Sequence, residues 1–130
     1  YRSAKVKAIK ENPACSVIGY DPGIKTQIRM VGKAKINHKN KKSQKAWEES
    51  QSISKKCYSV KDGSSNVINK PELYDFHIKD IDLEEGYENF STITFTFTSL
   101  EFLYLQRSGH RRCKFEWDNK GKMKSYWLVP

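Results

Sequence analysis

Arg2, Ser3 and Lys5 have the residue types and the spacing of an anion-binding site. The sequence predicts a short helix within residues 1–12, which Ser3 can cap and Pro13 ends. Backbone N–H groups and the helix dipole at such an end attract an anion, and the two cations add charge. An ordinary capped surface helix explains the same residues, so both interpretations remain open from the residues alone.

A second group of polar side chains lies on one face of a predicted strand at residues 25–36. Apolar residues alternate there with polar ones, a pattern typical of a strand that has one face on a core. The polar positions carry an amide and three cations: Gln27, Arg29, Lys33 and Lys35. Turn residues at 21–23 follow an apolar run at 14–20, so residues 14–36 predict a β-hairpin.

Further strands are predicted near the end of the chain. The same alternation recurs there, with turn residues between the segments: 91–99 continuing to 105, 111–117 and 123–129. Several strands with short turns and few helices predict a small antiparallel barrel.

The middle of the chain is predicted to contain a helix, then a loop, and then an acidic connecting segment. Residues 43–54 are helical in composition, and residues 61–71 predict a loop. The acidic segment 75–88 predicts a solvated connection, with a short strand at 74–78. It lacks the glycine and the closing glutamate of a calcium loop, so no metal site is predicted there.

Composition narrows the function classes. With 130 residues, 37% hydrophobic and 30% charged, the chain predicts one soluble domain. No apolar run approaches the roughly 20 residues that span a bilayer, and no signal-peptide pattern is present, so the prediction is a cytoplasmic protein with no membrane partner. The three cysteines are odd in number and lack metal-ligand spacing, which indicates free thiols.

The net charge of +9 raises the possibility of a nucleic-acid partner. The lysines are spread over the chain, however, as on a solvated surface. A basic barrel that stacks bases on aromatic side chains is also disfavoured, because threonines interleave the aromatic residues of segment 91–99. No nucleic-acid partner is therefore predicted.

Several short motifs occur in an order that resembles a known family. They are Asn12-Pro13, the stretch 27–34, Ala46-Trp47 with Gln51-Ser52, the stretch 109–112, and the end 128–130. This order resembles the pyridoxamine 5′-phosphate oxidase family of FMN-binding split barrels, in particular its oxidase-related branch. The resemblance runs over residues 2–130, although residues 60–88 add little to it.

The resemblance implies a mainly β fold with a few short helices: an antiparallel, six-stranded split β-barrel. Residues 1–130 would be a single FMN-binding domain that lacks the family's N-terminal strands. The cofactor would be FMN, bound between the two subunits of a homodimer.

Family pattern also implies the site residues. Arg2, Ser3 and Lys5 match the segment that holds the FMN phosphate, in agreement with the anion site above. Further cofactor contacts are implied for two amides, a hydroxyl and a guanidinium: Gln27, Gln51, Ser52 and Arg112. His110 falls in the substrate-contacting turn and is the one side chain with a case for catalysis, although a structural role explains it equally well. Arg29 and Lys33 are left as surface residues.

The implied function is an FMN-dependent oxidoreductase in which a small-molecule substrate gives a hydride to flavin N5. A B6 vitamer phosphate is the specific candidate substrate. Two departures weaken that candidate: the chain is shortened between Ala34 and Ala46, where the family carries a substrate-binding helix, and Leu103 replaces a flavin-packing tryptophan. The alternative is a non-catalytic flavin- or heme-binding carrier or stress protein with the same fold.

Overall fold

A computed structural model describes residues 1–60, 62–75 and 83–130. The helices within these residues are α1 (Ala4–Glu11), α2 (Lys41–Glu49), α3 (Ser52–Lys56) and α4 (Leu83–Asn89), with a 3₁₀ turn at Pro71–Tyr74. The strands are β1 (Ala14–Asp21), β2 (Thr26–Asn37), β3 (Thr92–Tyr104), β4 (Arg111–Trp117) and β5 (Met123–Leu128). The described chain is mainly β, as predicted; a six-stranded barrel stays a prediction.

The five strands form one sheet in the order β1-β2-β3-β4-β5. The pairs β1–β2, β3–β4 and β4–β5 are antiparallel. By contacts, the chain groups into two compact units. The first unit contains residues 1–12 and 35–94, and the second contains residues 13–34 and 95–130.

The predicted hairpin opens the second unit. Tyr20 lies opposite Gln27 across β1 and β2, and the turn between the strands is held by Asp21. The Asp21 Oδ1 atom accepts hydrogen bonds from the backbone N–H groups of Gly23 (2.8 Å) and Ile24 (3.3 Å). Such a bond two residues along the chain is the reason aspartate favours turns.

A glycine allows β2 and β3 to approach closely. A Cβ atom added to Gly32 would lie 2.1 Å from the carbonyl oxygen of Thr96 and 2.5 Å from the Cα of Phe97. No side chain fits at this position without moving a strand. The absence of a side chain therefore sets the spacing of the sheet beside the hairpin.

The strands predicted near the end of the chain are present, with bounds close to the predicted ones. Strand β4 has the predicted bounds, and β5 ends at Leu128, one residue earlier than predicted. Their turn is held by Asp118, whose Oδ1 accepts bonds from the N–H groups of Lys120 and Lys122, both at 2.9 Å. Gly121 takes a positive φ of 78° in this turn, a conformation that glycine adopts without strain.

The first unit begins with the predicted capped helix. Ser3 lies before α1 in an extended conformation, and its side chain accepts a hydrogen bond from the N–H of Val6. Val6 is buried at 4% exposure, so the apolar side of this helix contributes to the core. Four aromatic rings of this unit pack together, since Trp47 contacts Tyr58, Tyr87 and Phe90 at centroid distances of 5.1–6.0 Å.

The single helix predicted at 43–54 is wrong in its bounds. Asn40 caps α2 by accepting bonds from the N–H groups of Lys42 and Ser43, so the helix begins earlier, at Lys41. It ends at Glu49, and Ser50 takes an extended conformation. A second helix, α3, then starts at Ser52.

The prediction of a solvated connection is also wrong for residues 83–88, which belong to α4. Glu84 and Glu85 lie in its first turn, where negative charge complements the helix dipole. Gly86 is buried, and a Cβ at this position would lie 3.0 Å from the ring of Trp47. The rest of the acidic segment, residues 76–82, and with it most of the strand predicted at 74–78, lies outside the described residues.

The remaining observations concern the predicted loop, membrane-spanning helices, and the cysteine and metal sites. Residues 62–70 contain no helix or strand, as predicted for this loop; Lys61 lies outside the described residues. None of the described helices combines the length and the apolar character that crossing a membrane requires. Within the described residues the three cysteines are free, and no cluster of His, Cys, Asp or Glu could hold a metal ion.

Candidate functional site

The second unit contains a cleft of about 420 Å³ on one face of the sheet, here called the sheet-face cleft. This volume lies within the roughly 300–1,000 Å³ that is usual for small-molecule sites. The cleft is lined by Ser16, Ile18, Gln27, Arg29, Glu101, Leu103 and Arg112.

Strand periodicity explains why these residues share a face. Side chains two apart on a strand point to the same side of the sheet, and residues directly opposite each other on paired strands do so as well. Gln27 and Arg29 are two apart on β2, and Ile18 lies opposite Arg29 on β1. On the other strand pair, Leu103 of β3 lies opposite Arg112 of β4.

Arg112 is held by a carboxylate. Its Nε and Nη2 atoms donate hydrogen bonds of 2.9 and 2.7 Å to Oε1 of Glu101. The two side chains are 33% and 17% exposed, so this ion pair is partly buried. Two charge-assisted bonds fix the plane of the guanidinium and offset its charge. The N–H groups on Nη1 form no bond with the other described residues and can meet a ligand.

Gln27 and Arg29 are less constrained. Gln27 is half-buried, and Arg29 is exposed. Neither side chain forms a hydrogen bond or ion pair with other residues in the described part of the chain. The cleft therefore offers an amide with both donors and acceptors, one uncompensated cation and one compensated cation.

Two charged residues of the cleft, Arg29 and Glu101, are not among the cofactor residues predicted from the sequence. Arg29 is exposed, as predicted, and its position two residues after Gln27 also places it on the face that lines the cleft. Glu101 was not singled out, although it is the one charged residue in the predicted apolar continuation 100–105 of strand β3. A charged residue inside such a run is the signal that could have found it, because a half-buried carboxylate needs a partner.

The predicted phosphate residues lie together in the first unit. Arg2, Ser3 and Lys5 line a cleft of about 240 Å³, here called the N-terminal cleft, whose wall includes Tyr58 and Ser91. The structure thus brings the three residues to one place. Their role toward a phosphate stays a prediction.

The contacts within the N-terminal cleft show what each side chain has to offer. Nη2 of Arg2 donates a 3.0 Å bond to the carbonyl of Val60, which anchors the guanidinium. Ser3 Oγ accepts a 3.4 Å bond from the N–H of Val6, so its hydroxyl hydrogen can still be donated. Lys5 is exposed on the first turn of α1. Asp62 lines the same cleft and would oppose an anion.

The remaining predicted residues lie elsewhere. Gln51 and Ser52 are exposed at the start of α3 in the first unit, and the Gln51 side chain makes no capping bond. His110 is exposed in the turn between β3 and β4 of the second unit. Its Nδ1 accepts a 3.3 Å bond from the N–H of Gln106, which gives this histidine a structural contact within its own turn.

Comparison of the whole chain with solved structures reveals similar folds, and two of these structures are described here. A pyridoxamine 5′-phosphate oxidase-related, FMN-binding protein from Nostoc punctiforme PCC 73102 has a TM-score of 0.79 and 18% sequence identity; the match covers 99% of this chain and 69% of that protein. PhzG from Burkholderia lata 383, in complex with tetrahydrophenazine-1-carboxylic acid, has a TM-score of 0.74 and 17% identity, with coverage of 99% and 65%. The predicted resemblance is confirmed at the level of the fold.

Sequence comparison adds nothing to this likeness. No family model matches the chain, and no curated protein matches it.

Proposed function

We propose that this protein binds FMN and acts as an FMN-dependent oxidoreductase. The observation that carries the proposal is the sheet-face cleft, in which Gln27 and Arg112 lie together although they are far apart in the sequence. Both are cofactor residues in the family pattern that the sequence resembles. The similar fold of an FMN-binding protein supports the same conclusion.

The residues of the cleft fit the requirements of a flavin ring. Its polar edge needs an amide-type donor and acceptor, for which Gln27 is suited, and a cation, for which Arg112 is suited. Ile18 and Leu103 supply apolar surface to the same cleft. When bound, FMN supplies a hydride acceptor at its N5 atom. The chain's own residues would orient the ring, and the Nη1 N–H groups of Arg112, which the bonds to Glu101 leave unused, would donate hydrogen bonds to negative charge beside it.

The proposal assigns the phosphate to Arg2, Ser3 and Lys5. A helix N-terminus, a free hydroxyl hydrogen and two cations suit a phosphate group. At about 240 Å³ the N-terminal cleft is smaller than a usual small-molecule site, which suits a phosphate rather than a whole cofactor. We also assign Gln51 and Ser52 to the cofactor and propose a homodimer with FMN at the subunit interface.

Direct FMN binding tests the proposal. Wild-type protein titrated into FMN should quench the flavin fluorescence at a saturable, stoichiometric ratio. Gln27→Ala and Lys5→Ala should each weaken binding, because one removes a ring contact and the other a phosphate contact. Lys33→Ala is the matched control, since this exposed cation lies on β2 outside the residues that line the cleft. Absent binding by the wild type, or unchanged affinity in both site variants, would refute the proposal.

A turnover assay separates the enzyme from a carrier. The specific candidate substrate is a B6 vitamer phosphate, so FMN-loaded protein is incubated with pyridoxamine 5′-phosphate and oxygen. Consumption of oxygen with formation of the aldehyde supports the oxidase. Binding of FMN without reduction by this or any other small-molecule donor would leave a flavin carrier as the function.

A further inference from the structure

Glu101 is the acidic residue of the sheet-face cleft. Among the residues that line the cleft, Arg29 and Arg112 are cations and Glu101 alone is an anion. The Glu101 side chain is 17% exposed, and its Oε1 accepts bonds of 2.9 and 2.7 Å from Arg112. Charges that are partly removed from water interact more strongly than exposed ones. The carboxylate therefore offsets much of the positive charge that Arg112 could present to a ligand.

The register of the sheet shows that this pairing is selective. Glu101 lies directly opposite Lys114 across β3 and β4, whereas Arg112 lies opposite Leu103. Directly opposite side chains are the closest neighbours on the face of a sheet. Lys114 nevertheless pairs with Glu116 on its own strand, with its Nζ 2.6 Å from Oε1. Glu101 therefore reaches diagonally to Arg112, and its charge acts within the cleft.

A carboxylate in this place opposes the reduction of a flavin ring. Transfer of two electrons and one proton to an oxidised flavin leaves one negative charge on the ring. A cation beside the ring stabilises that charge, and an anion beside the cation weakens the stabilisation. Arg112 alone would therefore raise the reduction potential, and Glu101 would lower it. A lower potential favours the passage of the electrons onward to an acceptor.

We propose that Glu101 sets the reduction potential of the bound flavin by offsetting the charge that Arg112 presents to the ring. The inference rests on the proposed function for the presence of the flavin. Glu101 acts through Arg112 and is thus a positioning residue rather than a catalytic one. A purely structural role predicts the opposite sign, because the loss of a residue that only held Arg112 in place would displace the cation and lower the potential.

The reduction potentials of FMN-loaded variants measure this effect. Each protein is saturated with FMN and reduced slowly beside a dye of known potential. Glu101→Gln keeps an oxygen acceptor for Arg112 but removes the charge, so it should shift the equilibrium toward reduced flavin about tenfold. This is the lower end of the roughly 10- to 1,000-fold effect that a charge within about 4–6 Å has on an ionisation equilibrium. A tenfold shift equals a rise of about 30 mV for a two-electron couple.

Three further variants complete the test. Arg112→Gln leaves the carboxylate alone and should shift the equilibrium about tenfold in the other direction. The double variant Glu101→Gln/Arg112→Gln has neither charge and should return close to the wild type. Glu116→Gln is the matched control, because it removes a carboxylate from the same strand as Arg112, outside the cleft lining. It should leave the potential unchanged, and circular dichroism of each variant checks that the sheet is intact.

An unchanged or lower potential in Glu101→Gln would overturn the inference, as would equal rises in Glu101→Gln and Glu116→Gln. If Glu101→Gln alone does not fold, a double variant whose potential is no higher than that of Arg112→Gln overturns it instead. The proposed function fails in a different way. A wild type that binds no FMN refutes both proposals, whereas a wild type that binds FMN, without the rise in Glu101→Gln, refutes this inference alone.

Discussion

The ion pair between Glu101 and Arg112 should stabilise the second unit measurably. Surface pairs contribute about 0–1 kcal/mol, whereas breaking a buried pair costs about 3–5 kcal/mol. With side chains 33% and 17% exposed and bonds of 2.7 and 2.9 Å, this pair lies between those cases. We expect Arg112→Leu to lower the free energy of unfolding by about 2 kcal/mol, since it leaves a half-buried carboxylate without its partner.

A double-mutant cycle isolates the interaction. Arg112→Leu, Glu101→Leu and the double variant are unfolded in urea, and the coupling energy should be about 1–2 kcal/mol. The exposed pair Lys45–Glu49, 3.8 Å apart with side chains 76% and 66% exposed, is the control. Its coupling should be below about 0.5 kcal/mol. Equal coupling in the two pairs would refute the reasoning that burial strengthens the Glu101–Arg112 pair.

Three other changes should have distinct effects. Gly32→Ala forces a Cβ to within 2.1 Å of the Thr96 carbonyl oxygen and should cost about 1–3 kcal/mol in urea unfolding. Asn40→Ala removes the cap of α2 and should cost about 1 kcal/mol in the same assay. The hydrogen bond from Lys114 lowers the pKa of Glu116 below its ordinary value of 4.5. The ionised carboxylate therefore stabilises the folded protein above pH 4.5, and this stabilisation is lost as the pH falls through the lower pKa of the folded state. Glu116→Gln should reduce the acid-induced loss of stability measured by thermal unfolding.

Each of these predictions has its own control. Gly19→Ala is matched to Gly32→Ala, since a Cβ at Gly19 meets nothing within 4 Å; similar losses in both would contradict the steric argument. Asn40→Asp should keep the cap, so a loss equal to that of Asn40→Ala would argue against it. For Glu116, stability is compared in the wild type and the glutamine variant between about pH 5 and about pH 2, the range around the pKa of an unfolded carboxyl group. The same loss of stability in both proteins over this range would contradict the linkage.

Alternation made the second unit predictable. The hairpin at 14–36 and the strand at 111–117 could be placed because apolar and polar residues alternate there between clear turn residues. Asp21 and Asp118 mark two of those turns, and both bind backbone N–H groups as the turn chemistry requires. The order of the strands in the sheet was harder to predict, because alternation shows which residues share a face of one strand but not which strands are neighbours.

The first unit was less predictable because tertiary packing outweighs local preference there. Residues 83–89 are acidic and contain Gly86, which disfavours a helix. They form α4 nevertheless, with Gly86 buried close to the ring of Trp47. The break between α2 and α3 is also not predicted, because nothing in the composition of residues 43–54 indicates that Ser50 becomes extended.

The charges of the sheet-face cleft decide where a ligand's charge can lie. An anion that approaches Arg112 must compete with Glu101, whose oxygen is already 2.7 Å from Nη2, or must use the Nη1 side. Arg29 imposes no such competition. If FMN binds as proposed, the ring edge between Gln27 and Arg112 therefore meets an amide and the Nη1 N–H groups, because Glu101 occupies the rest of the guanidinium.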